Sequence, residues 1–345
     1  MVAGLLRMRG SIAQDQFWPT GRSDADTTKI LLTVSPGAIE FRKNSSTPFH
    51  STHVFDHAIV KGRTRKPPIK NGQVTVRLQG IDATELHYQP SPLSPTEKNG
   101  LSPAKRLAYH SVTHSYRQYL GATATKALHD FVSTAGTPAL DCDVFTKVDE
   151  PGEAFDTYGR LVGDIEATIG GKLVNLNQWL VEQGWAFPAF YSSMTNDEIS
   201  TLLGLATSAR SRKSGVWKYL SKSIGPFDFN LLEPKKNDLT VLAADKGAVI
   251  FPKLYRRYTT WSARKKAKVI SQNFQKFLEA GSNGKPDVCF VTADFLANGV
   301  HSATHRSFDQ FVVAGKTTKF APDGLVFSEA PSALIGADKK PITHF

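Results

Sequence analysis

Cysteine is almost absent from this 345-residue chain, which has only Cys142 and Cys289. Two thiols so far apart give neither a disulfide framework nor a thiolate metal site, and they suit a reducing cytoplasm. Long apolar runs are missing too. None approaches the roughly 20 residues that cross a bilayer, so no membrane partner is expected. The opening "MVAGLLRMRGSIAQ" alternates apolar and polar positions and has no apolar block followed by a small-residue cleavage site. It reads as a first strand; secretion would require a leader that had already been removed. Internal repeats are absent. Acidic side chains are in deficit, with 31 Asp and Glu against 42 Lys and Arg and a formal net charge of +11. That balance points to polyanionic partners, nucleic acid among them, though ribosome-bound and membrane-surface proteins share it. With 40% hydrophobic and 21% charged residues the composition is globular, and the length suits two domains.

The periodicity predicts strands over "LLRMRGSIAQ", "TTKILLTV", "QVTVRLQGI", "ALDCDVFTKV" and "RLVGDIEAT". It predicts helices over "TATKALHDFVSTAG", over "NLNQWLVEQG" with Asn175 as N-cap and Gly184 as C-cap, and after "TNDE". In the last, Thr195 and Glu198 have capping-box spacing and Gly215 stops the helix. Residues 35–72 and 86–118 interrupt this order. The first has Pro36, Pro48, Pro67 and Pro68, and the second has Pro90, Pro92, Pro95 and Pro103, so both read as irregular surface excursions. A small barrel with helices at one end is expected for residues 1–222. Residues 223–345 follow a Gly/Pro-containing polar stretch and read as a separate α+β accessory domain. Within it, strands are expected over "LTVLAA", "AVIFPKLY", "DVCFVT", "QFVVAG" and "DGLVFS", with a basic helix near 260–280. In "YRRYTTWSARKKAKVISQNFQKF", arginines and lysines alternate with Tyr255, Tyr258 and Trp261. Nucleic-acid contact and a helix packed through its aromatics explain those letters equally well.

Three segments place acids and arginines beside turns. "SDADTTKILL" carries Asp26, "VRLQGIDATE" carries Arg77, Asp82 and Glu85, and "FDTYGRLVGDI" carries Asp156, Tyr158 and Arg160. Any single Asp of this kind is most often an Asx-turn or a cap. Together the carboxylates supply hard oxygen ligands, which favour Ca²⁺ or Mg²⁺ over zinc, and the guanidiniums can hold a phosphate by forked hydrogen bonds. That combination suits attack on a phosphodiester.

"VRLQGIDATE", "DTYGRLVGDI", "LVNLNQWLVEQGWA" and "SARSRKSGVW", in that order, resemble the four motifs of the staphylococcal nuclease family. "DADTTKI" resembles the strand entry that carries the family's upstream metal ligand. The resemblance implies an OB-fold-like five-stranded barrel with three helices, enlarged by the two insertions. It implies a Ca²⁺-dependent nuclease acting on DNA, with RNA as a second substrate, that expels the 5′-oxygen and leaves 3′-phosphate ends. By position Asp26 and Asp82 would be metal ligands. Glu85 would position or deprotonate the attacking water, and Arg77 and Arg160 would clamp the phosphate. Tyr158 would contact the nucleotide, and Phe190 stands where the family keeps a stacking tyrosine. Ala83-Thr84 replaces the usual Thr-Pro, which leaves the backbone carbonyl available. The first insertion makes Asp56, in "VFDHAIV", a rival to Asp26, though Asp-x-Asp-Thr before an apolar run matches better. A non-catalytic nucleic-acid-binding or scaffold module is the alternative function, and for residues 223–345 a role in docking a protein partner is left open.

Overall fold

The computed structural model describes residues 4–17, 22–33, 38–56, 59–61, 67–224, 249–281, 284–329, 332–336 and 338–345. The chain forms two compact units. One comprises Met1–Ile81, Thr125–Leu180 and Glu329–Phe345, and the other Asp82–Ala124 and Val181–Ser328. These units follow contacts instead of chain order, so segments from both sides of residue 222 enter each of them.

The first unit is built on five strands, β1 (Leu5–Ala13), β2 (Thr27–Leu32), β3 (Gln73–Leu78), β4 (Ala139–Lys147) and β5 (Leu161–Ile169). β1 pairs antiparallel with β2 and β4, β2 antiparallel with β3, β3 parallel with β5, and β5 antiparallel with β4. The circuit closes into the expected OB-like barrel. Burial alternates along β1, β4 and β5, as a period-2 pattern with one face inward requires. The inward set includes Leu6, Met8, Ile12, Ile30, Val74, Val76, Val144, Leu161 and Ile165, all essentially inaccessible. Each such side chain contributes about 1.5–3 kcal/mol by leaving water. Two glycines permit the close strand approaches of a small barrel. A Cβ on Gly10 would lie 2.4 Å from the Leu31 carbonyl oxygen, and one on Gly163 would lie 2.6 Å from that of Phe145.

The first insertion is more regular than its prolines suggest. Ile39–Arg42 adds to β1 and pairs with His50–Ser51, and Ile59–Lys61 pairs with Ala333–Ile335. The basic stretch 62–66 and the expected strand "LTVLAA" lie outside the described residues. The second insertion, expected to lack helix, contains Pro95–Gly100 and Pro103–His110. Pro95 and Pro103 stand at the first helical positions, where the missing N–H costs nothing, and Ser94 and Ser102 cap the exposed amides. The three helices of the barrel region form as expected, over Gly121–Ser133, Leu176–Glu182 and Asn196–Ser211. Asn175 Oδ1 accepts from the Gln178 N–H at 3.1 Å, and Thr195 and Glu198 form a reciprocal capping box.

In the second unit, Phe190–Tyr191 runs parallel to Leu325–Phe327, which pairs antiparallel with Val288–Val291. Phe187, Phe190, Phe251, Phe290, Phe308 and Phe327 fill its core. Residues 252–255, expected as the end of a strand, begin the helix Pro252–Lys266 instead. The anticipated long basic helix stops there, and a second one covers Phe274–Ala280. Its aromatics face inward, with Tyr255 and Tyr258 buried. Its arginines are paired: Arg256 with Asp82 and Glu85, Arg257 with Asp287, and Arg264 with Glu97. Packing therefore accounts for the interleaved motif. Among the described residues no helix is long and apolar enough to cross a membrane.

Two outcomes test this packing. Ile165→Ala should destabilise the fold by about 2–5 kcal/mol through lost burial and the cavity left behind, read from denaturant midpoints at unchanged slope. Burial alone would raise the pKa of Asp287, but Lys253, Arg257 and Arg256 outweigh it and hold the carboxyl below its usual range. A depressed carboxylate pKa contributes stability that is present above the unfolded value of about 3.9 and is lost as pH falls through the folded value. Asp287→Asn should therefore lower stability at neutral pH, and its deficit against the unsubstituted protein should shrink on acidification below about pH 4.

Candidate active site

In the barrel unit the β2–β3 pairing sets Thr27 opposite Arg77, and the Asp26 carbonyl accepts the Leu78 N–H at 2.9 Å. This register brings the Asp26 carboxylate to 3.3 Å from Arg77 Nη1, with both side chains largely buried. The Thr27 hydroxyl donates to Asp26 Oδ1 at 3.2 Å and accepts from Arg160 Nη1 at 3.4 Å. Asp26, Thr27, Arg77 and Arg160 thus form one connected polar group on the barrel. Arg77 Nη2 also donates to the Ile81 carbonyl at 3.2 Å, which fixes the guanidinium against the residue that precedes Asp82 in the chain.

Arg160 is aimed by its own turn. Asp156 Oδ1 accepts the backbone N–H groups of Tyr158 at 2.9 Å and Arg160 at 3.0 Å, while its Oδ2 lies 2.7 Å from both Arg160 Nε and Nη2. Gly159 supplies the left-handed position the turn needs, at φ +79°. Tyr158 at the tip is 70% exposed, with its ring centroid 5.4 Å from the Arg160 guanidinium carbon. Asp56, the rival to Asp26, instead makes an exposed pair with His53 at 3.2 Å.

Asp82 and Glu85 belong to the second unit. Asp82 lies in the short strand Ile81–Ala83 and is 1% exposed. Gln118 clamps the turn that follows: its Oε1 accepts the Glu85 N–H at 3.4 Å, and its own N–H donates to the Glu85 carbonyl at 2.8 Å. Both carboxylates are bound by one guanidinium, that of Arg256. Nη1 and Nη2 reach the two Asp82 oxygens at 3.0 and 2.9 Å, and Nη1 also donates to Glu85 Oε1. Burial alone would lower the Arg256 pKa, but Asp82 and Glu85 hold it well above the ordinary guanidinium value.

The oxygen chemistry of Asp82 and Glu85 suits a hard cation, and Thr84 between them buries a hydroxyl with no hydrogen-bond partner among the described residues. The arrangement does not suit one. A guanidinium already binds both carboxylates, and among the described residues no group of three or more His, Cys, Asp or Glu could hold a metal ion. Phe190 is a further departure. It is 0% exposed, in a strand paired with Val326 and Phe327, so its ring offers no open face for stacking. Sequence reasoning missed Arg256 because it looked like one basic residue among many. Only the fold reveals its place: Pro252, Thr259 and Thr260, at helical spacing from it, are all buried, which puts a cation on the packed face where it needs an anion.

No curated protein sequence matches the chain. Residues 75–219 match the family model described as staphylococcal nuclease homologue. The match takes in Arg77, Asp82, Glu85, Tyr158 and Arg160, while Asp26 precedes it and Arg256 follows it. The function is accordingly nuclease-like or nucleic-acid-related. Over residues 75–219 this chain is similar to the staphylococcal nuclease homologue family.

Proposed function

We propose that the chain hydrolyses phosphodiester bonds of DNA, with RNA as a second substrate. The observation that carries this reading is the linked group of Asp26, Thr27, Arg77 and Arg160 on the barrel, in a chain whose family match includes both arginines. Two guanidiniums linked through the Thr27 hydroxyl and the Asp26 carboxylate suit a single phosphate and the charge that gathers on its oxygens during attack. In this proposal Arg77 and Arg160 bind the phosphate and Glu85 accepts a proton from the attacking water. The bond from phosphorus to the 5′-oxygen breaks, that oxygen takes a proton from solvent, and a 3′-phosphate remains. Tyr158 presents its exposed ring to a base beside the cleaved bond.

The family resemblance also carries a Ca²⁺ requirement, with Asp26 and Asp82 as ligands. With Arg256 in place the acid pair does not accommodate that ion beside the guanidinium. A carboxylate held by a guanidinium is also a poorer base. The same contact supports a second reading, a nucleic-acid-binding module that does not cleave.

Digestion of plasmid, single-stranded DNA and RNA, with Ca²⁺ and with a chelator, separates the two readings. Cleavage is expected. Arg77→Ala or Arg160→Ala should lower turnover on the order of 10²-fold or more, as removal of a charge-stabilising donor does. Cleavage by both variants at the unsubstituted rate would refute the assigned roles, and oligonucleotide binding without cleavage would establish the binding module. Tyr158→Ala should weaken oligonucleotide binding by about 1–3 kcal/mol, the worth of one stacked base.

A further inference from the structure

The contact between Arg256 and the acid pair is built into the fold of the second unit at several points. Gln118, which clamps the Glu85 turn, also donates from Nε2 to the Ile250 carbonyl at 2.6 Å, two residues before the helix Pro252–Lys266 begins. One turn beyond Arg256, the Thr260 hydroxyl is hydrogen-bonded to the Tyr88 hydroxyl at 2.8 Å. The turn bearing the carboxylates and the helix bearing the guanidinium are therefore tied together on both sides of the ion pair. Backbone packing adds to this, because a Cβ on Gly121 would lie 2.3 Å from the Glu85 carbonyl oxygen. Asp82 is 1% exposed, and the Arg256 and Glu85 side chains are 24% and 12% exposed. With the carboxylates this buried, a forked, charge-assisted pair is strong, and separating it costs each acid that contact.

We infer that Arg256 is the resident cation of the Asp82–Glu85 pair, and that a hard divalent ion reaches these carboxylates only by displacing it. The oxygens that bind the guanidinium are the ones an ion would need, so the two occupants exclude each other. The helix after the family-matched segment thereby sets the metal affinity of carboxylates inside that segment. This inference rests on the nuclease reading for the purpose of the acid pair, but ion binding itself is measured without any substrate.

The experiment is a Ca²⁺ titration of the full chain by calorimetry, with thermal melts at matched Ca²⁺ concentrations. Arg256→Met removes the guanidinium and keeps most of the apolar stem. Its Ca²⁺ affinity should exceed that of the unsubstituted protein by about tenfold or more, and its melting temperature should be lower without Ca²⁺ and rise on addition. Adding Asp82→Asn and Glu85→Gln to that variant should abolish the gain. Arg256→Lys retains a charge but cannot form the fork, so it should show an intermediate gain, and it carries the test if Arg256→Met does not fold. Equal Ca²⁺ affinity in the unsubstituted protein and in the variants that fold would overturn the inference, as would no binding by any of them. DNA cleavage is scored separately. Tight ion binding by the variants without any cleavage refutes the nuclease reading alone, and cleavage with unaltered ion affinity refutes this inference alone.

Discussion

A carboxylate buried as deeply as that of Asp82 has three ways to exist: protonated, bound to a metal ion, or paired with a cation from the protein. Here it is paired. Arg256 reaches it with both terminal nitrogens and takes Glu85 as well, and that choice organises the second unit. The helix that carries Arg256 must lie where its guanidinium meets both acids. The Gln118 and Tyr88 contacts hold it there. Satisfying a buried charge from a distant part of the chain gives residues beyond the family match a place in the chemistry of the matched segment.

The barrel works under a different constraint. Its strands close on one another, so a register error in β2 or β3 would turn an inward row outward. That closure fixes Thr27 opposite Arg77 and so sets Asp26 beside the guanidinium. The Asp156 turn then determines where Arg160 can point, because one carboxylate binds both the turn's backbone and the guanidinium. Backbone pairing is thus converted into the placement of two cations.

The parts legible in the sequence were those governed by local rules. Period-2 alternation gave the five barrel strands, and Thr195 with Glu198 gave a helix start to the residue. Proline was over-read in the second insertion, where the residue stands at helix starts instead of preventing helices. The basic helix was left open between two readings. Its letters fitted nucleic-acid contact and packing equally well, and Arg256, Arg257 and Arg264 all face acids of the protein itself. Phe190 had the right sequence position for a stacking residue, and its neighbours in space made it core.

The sequence by itself determined which residue types could do phosphate chemistry and the order in which their motifs occur. Strand alternation and turn composition are properties of a few consecutive residues, so they can be read without coordinates. Tertiary structure alone decided which cation each acid meets. Asp82 and Arg256 are separated by 174 positions, and no local pattern encodes a pairing at that distance. It follows from the packing of a whole helix, and from the cost of leaving a buried charge unmatched.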